Sequence, residues 1–234
     1  MNVIDKYMII YVIFIGFALL SWIVQSVLKS KFDKYSKIRL PSGLSGREVA
    51  ERMLQEHGIY DIKVSHVRGQ LTDHYNPLTK TINLSEAVYS GNSIAAASVA
   101  AHECGHAVQH ATAYAFLTMR SKLVPVVSFT SNWMHWVLLA GILLMQRFPY
   151  LLLFGIVLFG LTTLFSFITL PVEINASARA VAWLNKTGIT NVSTHPMAAD
   201  ALKWAAYTYV IAALSSLATL IYYILIFLGG RNRN

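Results

Sequence analysis

The sequence predicts a mainly α membrane protein that has four transmembrane helices and a small extramembrane α+β domain containing a short β-sheet. Its 234 residues are 55% hydrophobic and only 13% charged, whereas about 25% of residues are charged in soluble domains. The apolar residues are concentrated in four long blocks, and most of the charge lies between residues 29 and 122. This segregation separates membrane-spanning parts from one extramembrane part.

Four apolar blocks are long enough to cross a hydrocarbon layer of about 30 Å, which takes about 20 helical residues. They cover residues 7–28, 126–145, 150–170 and 205–228. The first is longer than a signal-peptide core and no small-residue cleavage pattern follows it, so we expect a retained anchor. The second contains Asn132 and His135, which should face other helices because polar groups are costly in lipid.

The blocks divide the chain into five predicted segments. These are an N-terminal anchor (1–28), an extramembrane domain (29–122), a transmembrane hairpin (123–170), a helical segment (171–204) and a C-terminal transmembrane helix with its tail (205–234). Because the hairpin returns the chain to the side it left, residues from 171 onward can reach the extramembrane domain.

The formal net charge of +8 predicts a membrane surface as partner, and nucleic acid is not expected. Many of the basic residues lie near span ends, where anionic lipid headgroups and topology rules favour them. The basic run KSKFDKYSKIR after the first span predicts that the extramembrane domain faces the cytoplasm, although Arg231 and Arg233 lie on the other side. The single cysteine, Cys104, excludes an intrachain disulfide.

The extramembrane domain begins with an amphipathic helix, predicted between the cap residue Ser45 and the stop residue Gly58. Its apolar residues recur at helical spacing and are Val49, Ala50, Met53 and Leu54. From Asn92 or Ser93 the chain becomes alanine-rich, and alanine is the best helix former. A long helix is therefore expected there.

Strands are expected between these two helices. Residues 62–67 alternate in polarity, and residues 71–85 predict two strands around the turn residues Asn76 and Pro77. If the return strand, 81–85, lies at an exposed sheet edge, it would receive an extended peptide by strand addition. The alternative is an ordinary edge strand.

The alanine-rich helix carries AAHECGHAVQH, residues 100–110, which has the HExxH pattern of zinc peptidases. His102 and His106 are four residues apart, so their imidazoles lie on one helix face and can bind one ion. Glu103 points beside the metal, where it can take a proton from a zinc-activated water and pass it to the departing amine. The alternative is that both histidines are polar core residues.

Catalytic zinc takes three protein ligands, and the third is predicted to be Glu173. His110 continues the four-residue spacing, but His102 and His110 are about 12 Å apart along a straight helix, too far for one ion. Glu173 lies at the end of the third span, on the correct side of the membrane. Its alternative role is that of a capping or salt-bridging acid.

Four other side chains are weaker candidates. His74 and His195 could stabilise an oxyanion, although a surface role is favoured for each. Arg179 could bind a substrate carboxylate, but a role in pinning its own helix is favoured. Cys104 is expected to point away from the metal ligands and to be a small packing residue.

The chain resembles the bacterial YugP-type membrane zinc metallopeptidases along nearly its full length. The matching stretches are QSVLKSKFDKYSKI, SGLSGREVAERMLQEHGIYDIKV, DHYNPLTKTINLS, AAHECGHAVQH, LPVEINASARA and AAYTYVIAALSSL. The resemblance implies a zincin-like domain of the gluzincin type, with one Zn²⁺ per chain on His102, His106 and Glu173. It also implies that Glu103 is catalytic.

The HtpX-type membrane proteases have the same arrangement of two histidines and a third-ligand glutamate. In them, an aspartate four residues after the third ligand orients a histidine. This chain has Ser177 at that position. A serine can still form a hydrogen bond but brings no charge, so additional support for the ligands is expected elsewhere, for example from Asn175.

The predicted function is that of a multi-pass endopeptidase of the cell membrane that hydrolyses polypeptide substrates. Membrane-protein partners or a homo-oligomer are left open. The alternative is a membrane scaffold or adaptor whose zinc site is structural or vestigial. Glu103 favours the peptidase, because a structural zinc site does not need it.

Overall fold

The computed structural model describes residues 3–69 and 71–231, with side chains for 11–69 and 71–229. Within these limits the chain is mainly helical, with four candidate membrane-spanning helices and one three-stranded sheet, so the predicted fold class is confirmed. Arg233, the side chain of Arg231 and those of residues 7–10 in the first predicted span lie outside the described residues.

The elements follow one another in the order α1 Val3–Tyr35, α2 Gly46–Glu56, β1 Lys63–Val67, β2 His74–Asn76, β3 Thr81–Ser85, α3 Glu86–Tyr89, α4 Ile94–Ala111, α5 Ala115–Leu143, α6 Pro149–Lys186 and α7 His195–Arg231. The four helices long and apolar enough to cross a membrane are α1, α5, α6 and α7. Helices α1, α6 and α7 extend beyond both ends of the apolar blocks that predicted them, whereas α5 begins earlier than its block and ends at Leu143.

The chain divides into two compact units. The first unit comprises Met1–Ile23, Met119–Leu170 and Tyr209–Asn234, and the second comprises Val24–Thr118 and Pro171–Thr208. In the first unit, α5 and α6 share a small apolar core. Asn132 and His135 are both exposed on α5, so the expectation that they face other helices is wrong. The five predicted segment boundaries stay a prediction.

Helix α2 has the predicted limits. The Ser45 side chain accepts from the Glu48 backbone N–H, and the Glu48 carboxylate accepts from the Ser45 backbone N–H at 2.7 Å, forming a capping box. Gly58 follows the helix at φ +70°, a left-handed conformation that glycine adopts without steric cost. The predicted apolar face is buried, and its members are Val49, Ala50, Met53 and Leu54.

The sheet has the order β1-β3-β2, in which β3 pairs in parallel with β1 and antiparallel with β2. Residues 81–85 are therefore the central strand, and the expectation that they form an exposed edge is wrong. Ile82 and Leu84 are fully buried, and buried backbone groups need hydrogen-bond partners, which strands on both sides supply. The antiparallel edge is the short strand β2.

Helix α6 continues through Pro171, where the sequence predicts only the end of the third span. A proline inside a helix costs about 3 kcal/mol and removes one backbone hydrogen bond. After this proline, apolar residues spaced four apart lie on one fully buried face: Val172, Ala176, Ala180 and Leu184. The burial of this face offsets the cost of the proline and keeps the segment helical.

Candidate metal centre

Helix α4 lies in the core of the second unit. The Ser93 side chain accepts from the Ala96 backbone N–H at 3.1 Å and caps the helix where the sequence predicts its start. Most of its residues are buried, including the alanines on several faces. Small side chains let neighbouring elements approach closely, so ionisable groups on this helix are held in a tightly packed setting.

The second unit brings His102, His106 and Glu173 together. The Glu173 Oε2 atom lies 3.3 Å from His102 Nε2 and 3.4 Å from His106 Nε2. One potential ligand atom from each residue lies within 4.8 Å of the other two. Glu173 and His106 are buried, and His102 is mostly so.

The two distances from the Glu173 carboxylate to the imidazoles match the separation of two ligand atoms on one zinc ion better than that of direct hydrogen bonds. Two ligand atoms about 2.0–2.1 Å from a tetrahedral ion lie about 3.3–3.4 Å apart. Charge-assisted N–H···O bonds are shorter, at about 2.7–2.9 Å. Two imidazole nitrogens and a carboxylate also form a donor set typical of catalytic zinc. The residues present therefore fit the metal.

Electrostatics at His106 favour positive charge. Burial lowers the pKa of this imidazole, but its interactions with the Glu173 carboxylate and the charge of Glu103 outweigh burial and raise the pKa above its ordinary value. A buried site that attracts a proton in this way also attracts a cation.

Gly105 allows the two ligand-bearing helices to approach. A Cβ atom at this position would lie 2.6 Å from the backbone oxygen of Ala176 on α6. Cys104, its neighbour, is fully buried and its Sγ lies 3.5 Å from the Ala50 backbone oxygen. Burial raises the pKa of the Cys104 thiol well above its usual value. The structure thus agrees with a packing role for this cysteine.

The other ring nitrogen of each histidine also has a partner. His102 Nδ1 lies 3.0 Å from the Ser177 hydroxyl, the contact that the sequence allowed for. His106 Nδ1 lies 3.0 Å from Gln109 Oε1. Gln109 also donates to Asn175 Oδ1 at 3.0 Å. Sequence reasoning missed Gln109, although its position one turn after His106 was a usable signal.

Glu103 is buried, and the edge strand β2 fixes its carboxylate. The Tyr75 backbone N–H donates to Glu103 Oε2 at 2.9 Å. The Tyr75 N–H therefore points toward α4, which carries Glu103, and away from β3. The contact limits the rotation of Glu103 and leaves its second oxygen for other partners.

The weaker histidine candidates have other partners. His110 is exposed, and its Nδ1 lies 3.5 Å from the Tyr75 hydroxyl. His74 is exposed and contacts the Thr72 backbone oxygen and the Asn83 amide. His195 Nδ1 lies 3.5 Å from Thr190 Oγ1. The structure does not bring these three side chains into the ligand cluster.

Arg179 contacts its own helix, the arrangement that the favoured interpretation expects. Its Nε donates to Asn175 Oδ1 at 2.8 Å, one turn earlier on the same helix. The arginine therefore braces α6 close to Glu173.

The described residues combine four candidate membrane-spanning helices with a cluster of three potential metal ligands. The chain belongs to the family described as "Putative neutral zinc metallopeptidase", whose profile matches residues 10–228. It is 46% identical over 215 residues to the Bacillus subtilis (strain 168) protein named "Putative membrane protease YugP". That alignment covers 92% of this chain and 95% of the relative. No solved structure matches the chain. The predicted resemblance is confirmed.

Proposed function

We propose that this protein is a multi-pass zinc endopeptidase of the membrane that hydrolyses peptide bonds of polypeptide substrates. The observation that carries this proposal is the convergence of His102, His106 and Glu173 within 4.8 Å. Glu103 follows the first ligand directly and is held by a strand amide. Family membership and the membrane-protease relative support the same reaction class.

The residues of the site divide into ligands and a base. His102, His106 and Glu173 would hold one Zn²⁺, which when bound polarises the scissile carbonyl and makes a coordinated water more acidic. Glu103 takes the proton of the attacking water and passes it to the amine as the peptide bond breaks. The Tyr75 N–H keeps the Glu103 carboxylate oriented during both transfers.

A scaffold with a structural zinc site is the second candidate. Structural zinc is almost always held by four protein ligands, whereas catalytic zinc has three and an open position. The described residues supply three potential ligands at this cluster. A buried carboxylate beside them has no role in a structural site, so the donor set favours catalysis.

The decisive test is Glu103→Gln in the purified full-length protein in detergent. The amide can still accept from the Tyr75 N–H, so we expect one zinc per chain, as in the parent. Turnover of an unfolded protein substrate should fall about 10²- to 10⁴-fold, the usual contribution of a general base. Metal analysis and a peptide-release assay measure the two quantities. Undiminished cleavage by Glu103→Gln would refute the mechanism.

Removal of the metal provides the complementary test. Glu173→Ala should lose zinc affinity as well as turnover, because one of three ligands is absent. A chelator should inactivate the parent protein, and added Zn²⁺ should restore its activity. Full zinc occupancy in Glu173→Ala would exclude Glu173 as a ligand.

We also propose that the second unit faces the cytoplasm. The last turns of α1 and the residues after it are rich in lysine, and these lysines are Lys29, Lys31, Lys34 and Lys37. Lysine next to an apolar span favours the cytoplasmic side. This orientation would expose the site to cytoplasmic or membrane-proximal polypeptides.

A further inference from the structure

We propose that Gln109 is a positioning residue that sets the protonated nitrogen of His106 and ties this ring to the backbone of α6. The inference rests on the proposed function only in requiring that the site hold a metal. It concerns how the ligands are assembled, and it does not depend on which substrate is cleaved.

The orientation of the Gln109 amide is fixed by a backbone carbonyl. Gln109 is fully buried, and its Nε2 lies 2.8 Å from the Val172 backbone oxygen. A carbonyl oxygen can only accept hydrogen bonds, so the amide nitrogen must be the atom at this contact. The amide oxygen, Oε1, is therefore the atom that faces His106 Nδ1 at 3.0 Å.

This orientation dictates the chemistry of the imidazole. The Gln109 Oε1 atom can only accept, so His106 Nδ1 must carry the proton and donate it. The Nε2 lone pair is then left free for a metal. It is Nε2 that lies 3.4 Å from Glu173 Oε2. A main-chain carbonyl of α6 thus decides, through one glutamine, which nitrogen of His106 binds the ion.

The same side chain holds the third ligand in place. Val172 is the residue directly before Glu173, and Gln109 Nε2 also donates to Asn175 Oδ1 at 3.0 Å. Asn175 Oδ1 is fixed in turn by Arg179 Nε. The ring of His106 and the helical turn that carries Glu173 are consequently positioned by one amide group.

His102 lacks this directional control. Its Nδ1 contacts the Ser177 hydroxyl, which can donate or accept and so imposes neither protonation state. We therefore expect Gln109 to contribute more to ligand assembly than Ser177 does.

The first measurement is made on the zinc-loaded parent protein, with ¹⁵N-labelled histidine, by two-bond ¹H–¹⁵N correlation. The His106 signals are assigned by their loss in His106→Gln. We expect zinc on Nε2 and a slowly exchanging proton on Nδ1. Zinc on Nδ1 would overturn the proposal. A parent protein that binds no zinc would overturn both this proposal and the proposed function.

The second measurement compares Gln109→Met with Gln55→Met. Methionine has a similar size but cannot replace the hydrogen bonds, and Gln55 is an exposed glutamine on α2. Loss of such an outer contact usually weakens metal affinity about 10- to 100-fold, and we expect this loss only in Gln109→Met. Competition with a chromophoric chelator gives the affinity, and the Co²⁺ absorption spectrum at saturation reports altered ligand geometry.

Several outcomes separate the two proposals. Parent-like zinc affinity and Co²⁺ spectrum in Gln109→Met would overturn the role of Gln109 alone. Weakened zinc binding in Gln109→Met, together with a parent that cleaves no peptide, would support that role while refuting the peptidase. If Gln109→Met does not fold, the nitrogen assignment in the parent protein still decides.

Discussion

Gly105 shows how a single missing side chain lets the candidate metal ligands come together. The backbone of α6 at Ala176 occupies the space that a Cβ at residue 105 would need. Ala176 lies three residues after Glu173, so this close approach brings the carboxylate toward the two histidines. The small residue inside HECGH therefore serves packing between helices as well as the spacing of the motif.

Replacing this glycine tests that role. Gly105→Ala forces a side chain against backbone, so we expect a loss of about 1–3 kcal/mol in stability, typical of overpacking. We also expect zinc affinity to fall about tenfold or more as Glu173 moves away. Gly160→Ala is the control, because no neighbouring group lies within 4 Å of the position that a Cβ would take on this helical glycine. Thermal stability and zinc affinity should fall only in the first variant, because alanine at an open helical position does not destabilise a helix; equal zinc affinity in both would contradict this role.

At the scale of elements, the short strand β2 connects the sheet to the proposed base, Glu103. The Asp73 carboxylate accepts from the Ser85 backbone N–H at 2.7 Å and from its hydroxyl. These bonds join the start of β2 to the end of β3, next to the Tyr75 amide that holds Glu103. The position of the proposed base thus depends on a loop-to-strand contact outside the metal ligands.

Asp73→Ala should therefore affect turnover more than metal binding. Loss of a hydrogen bond to a charged group costs about 1.5–3 kcal/mol, which loosens β2 and the Glu103 carboxylate. We expect lower kcat with unchanged zinc stoichiometry. Asp73→Asn keeps an oxygen for the Ser85 N–H and should recover much of the rate. Steady-state kinetics with metal analysis distinguishes the variants, and an unaltered kcat in Asp73→Ala would be inconsistent with this coupling.

The end of the third span illustrates where sequence patterns mislead at this scale. The sequence predicts only that the third span ends at residue 170, but α6 continues through Pro171 to Lys186. The reason is non-local, because the buried face after the proline packs against residues far away in the chain. A local helix breaker is overruled by burial that the sequence does not display.

At the scale of the whole molecule, the proposed topology places the loop between α5 and α6 and the loop between α6 and α7 on opposite sides of the membrane. Arg147, between α5 and α6, and Val192, between α6 and α7, are both exposed. Cys104 is the single cysteine and is buried, so introduced cysteines can be labelled selectively. The described residues form four candidate spans, so labelling a cysteine in each loop reports the side of the membrane on which that loop lies.

We expect Arg147→Cys to react with a membrane-impermeant maleimide in intact cells. Val192→Cys should react only after the membrane is permeabilised, because the positive charge near α1 favours a cytoplasmic second unit. The parent protein, with Cys104 alone, is the unlabelled control. Labelling of Val192→Cys in intact cells would reverse the proposed orientation.

The sequence by itself predicted the fold class and the four apolar helices. It also predicted that His102, Glu103 and His106 lie together as candidate site residues on one helix. These follow from local rules, since hydrophobic length defines a candidate span and a four-residue spacing defines one helix face. The same rules located α2, because its cap and apolar face lie within fourteen consecutive positions, 45–58.

Only the tertiary structure decided how distant groups meet. It placed the Glu173 carboxylate against both imidazoles, made β3 the central strand, and connected Gln109 to the Val172 carbonyl. The returning hairpin predicted Glu173 as a ligand, but the sequence does not give these contacts, because each depends on the packing of segments separated by many residues. The physical cause of the Glu173 and Gln109 contacts is the close approach of α4 and α6. Gly105 permits this approach, and the buried face of α6 stabilises it.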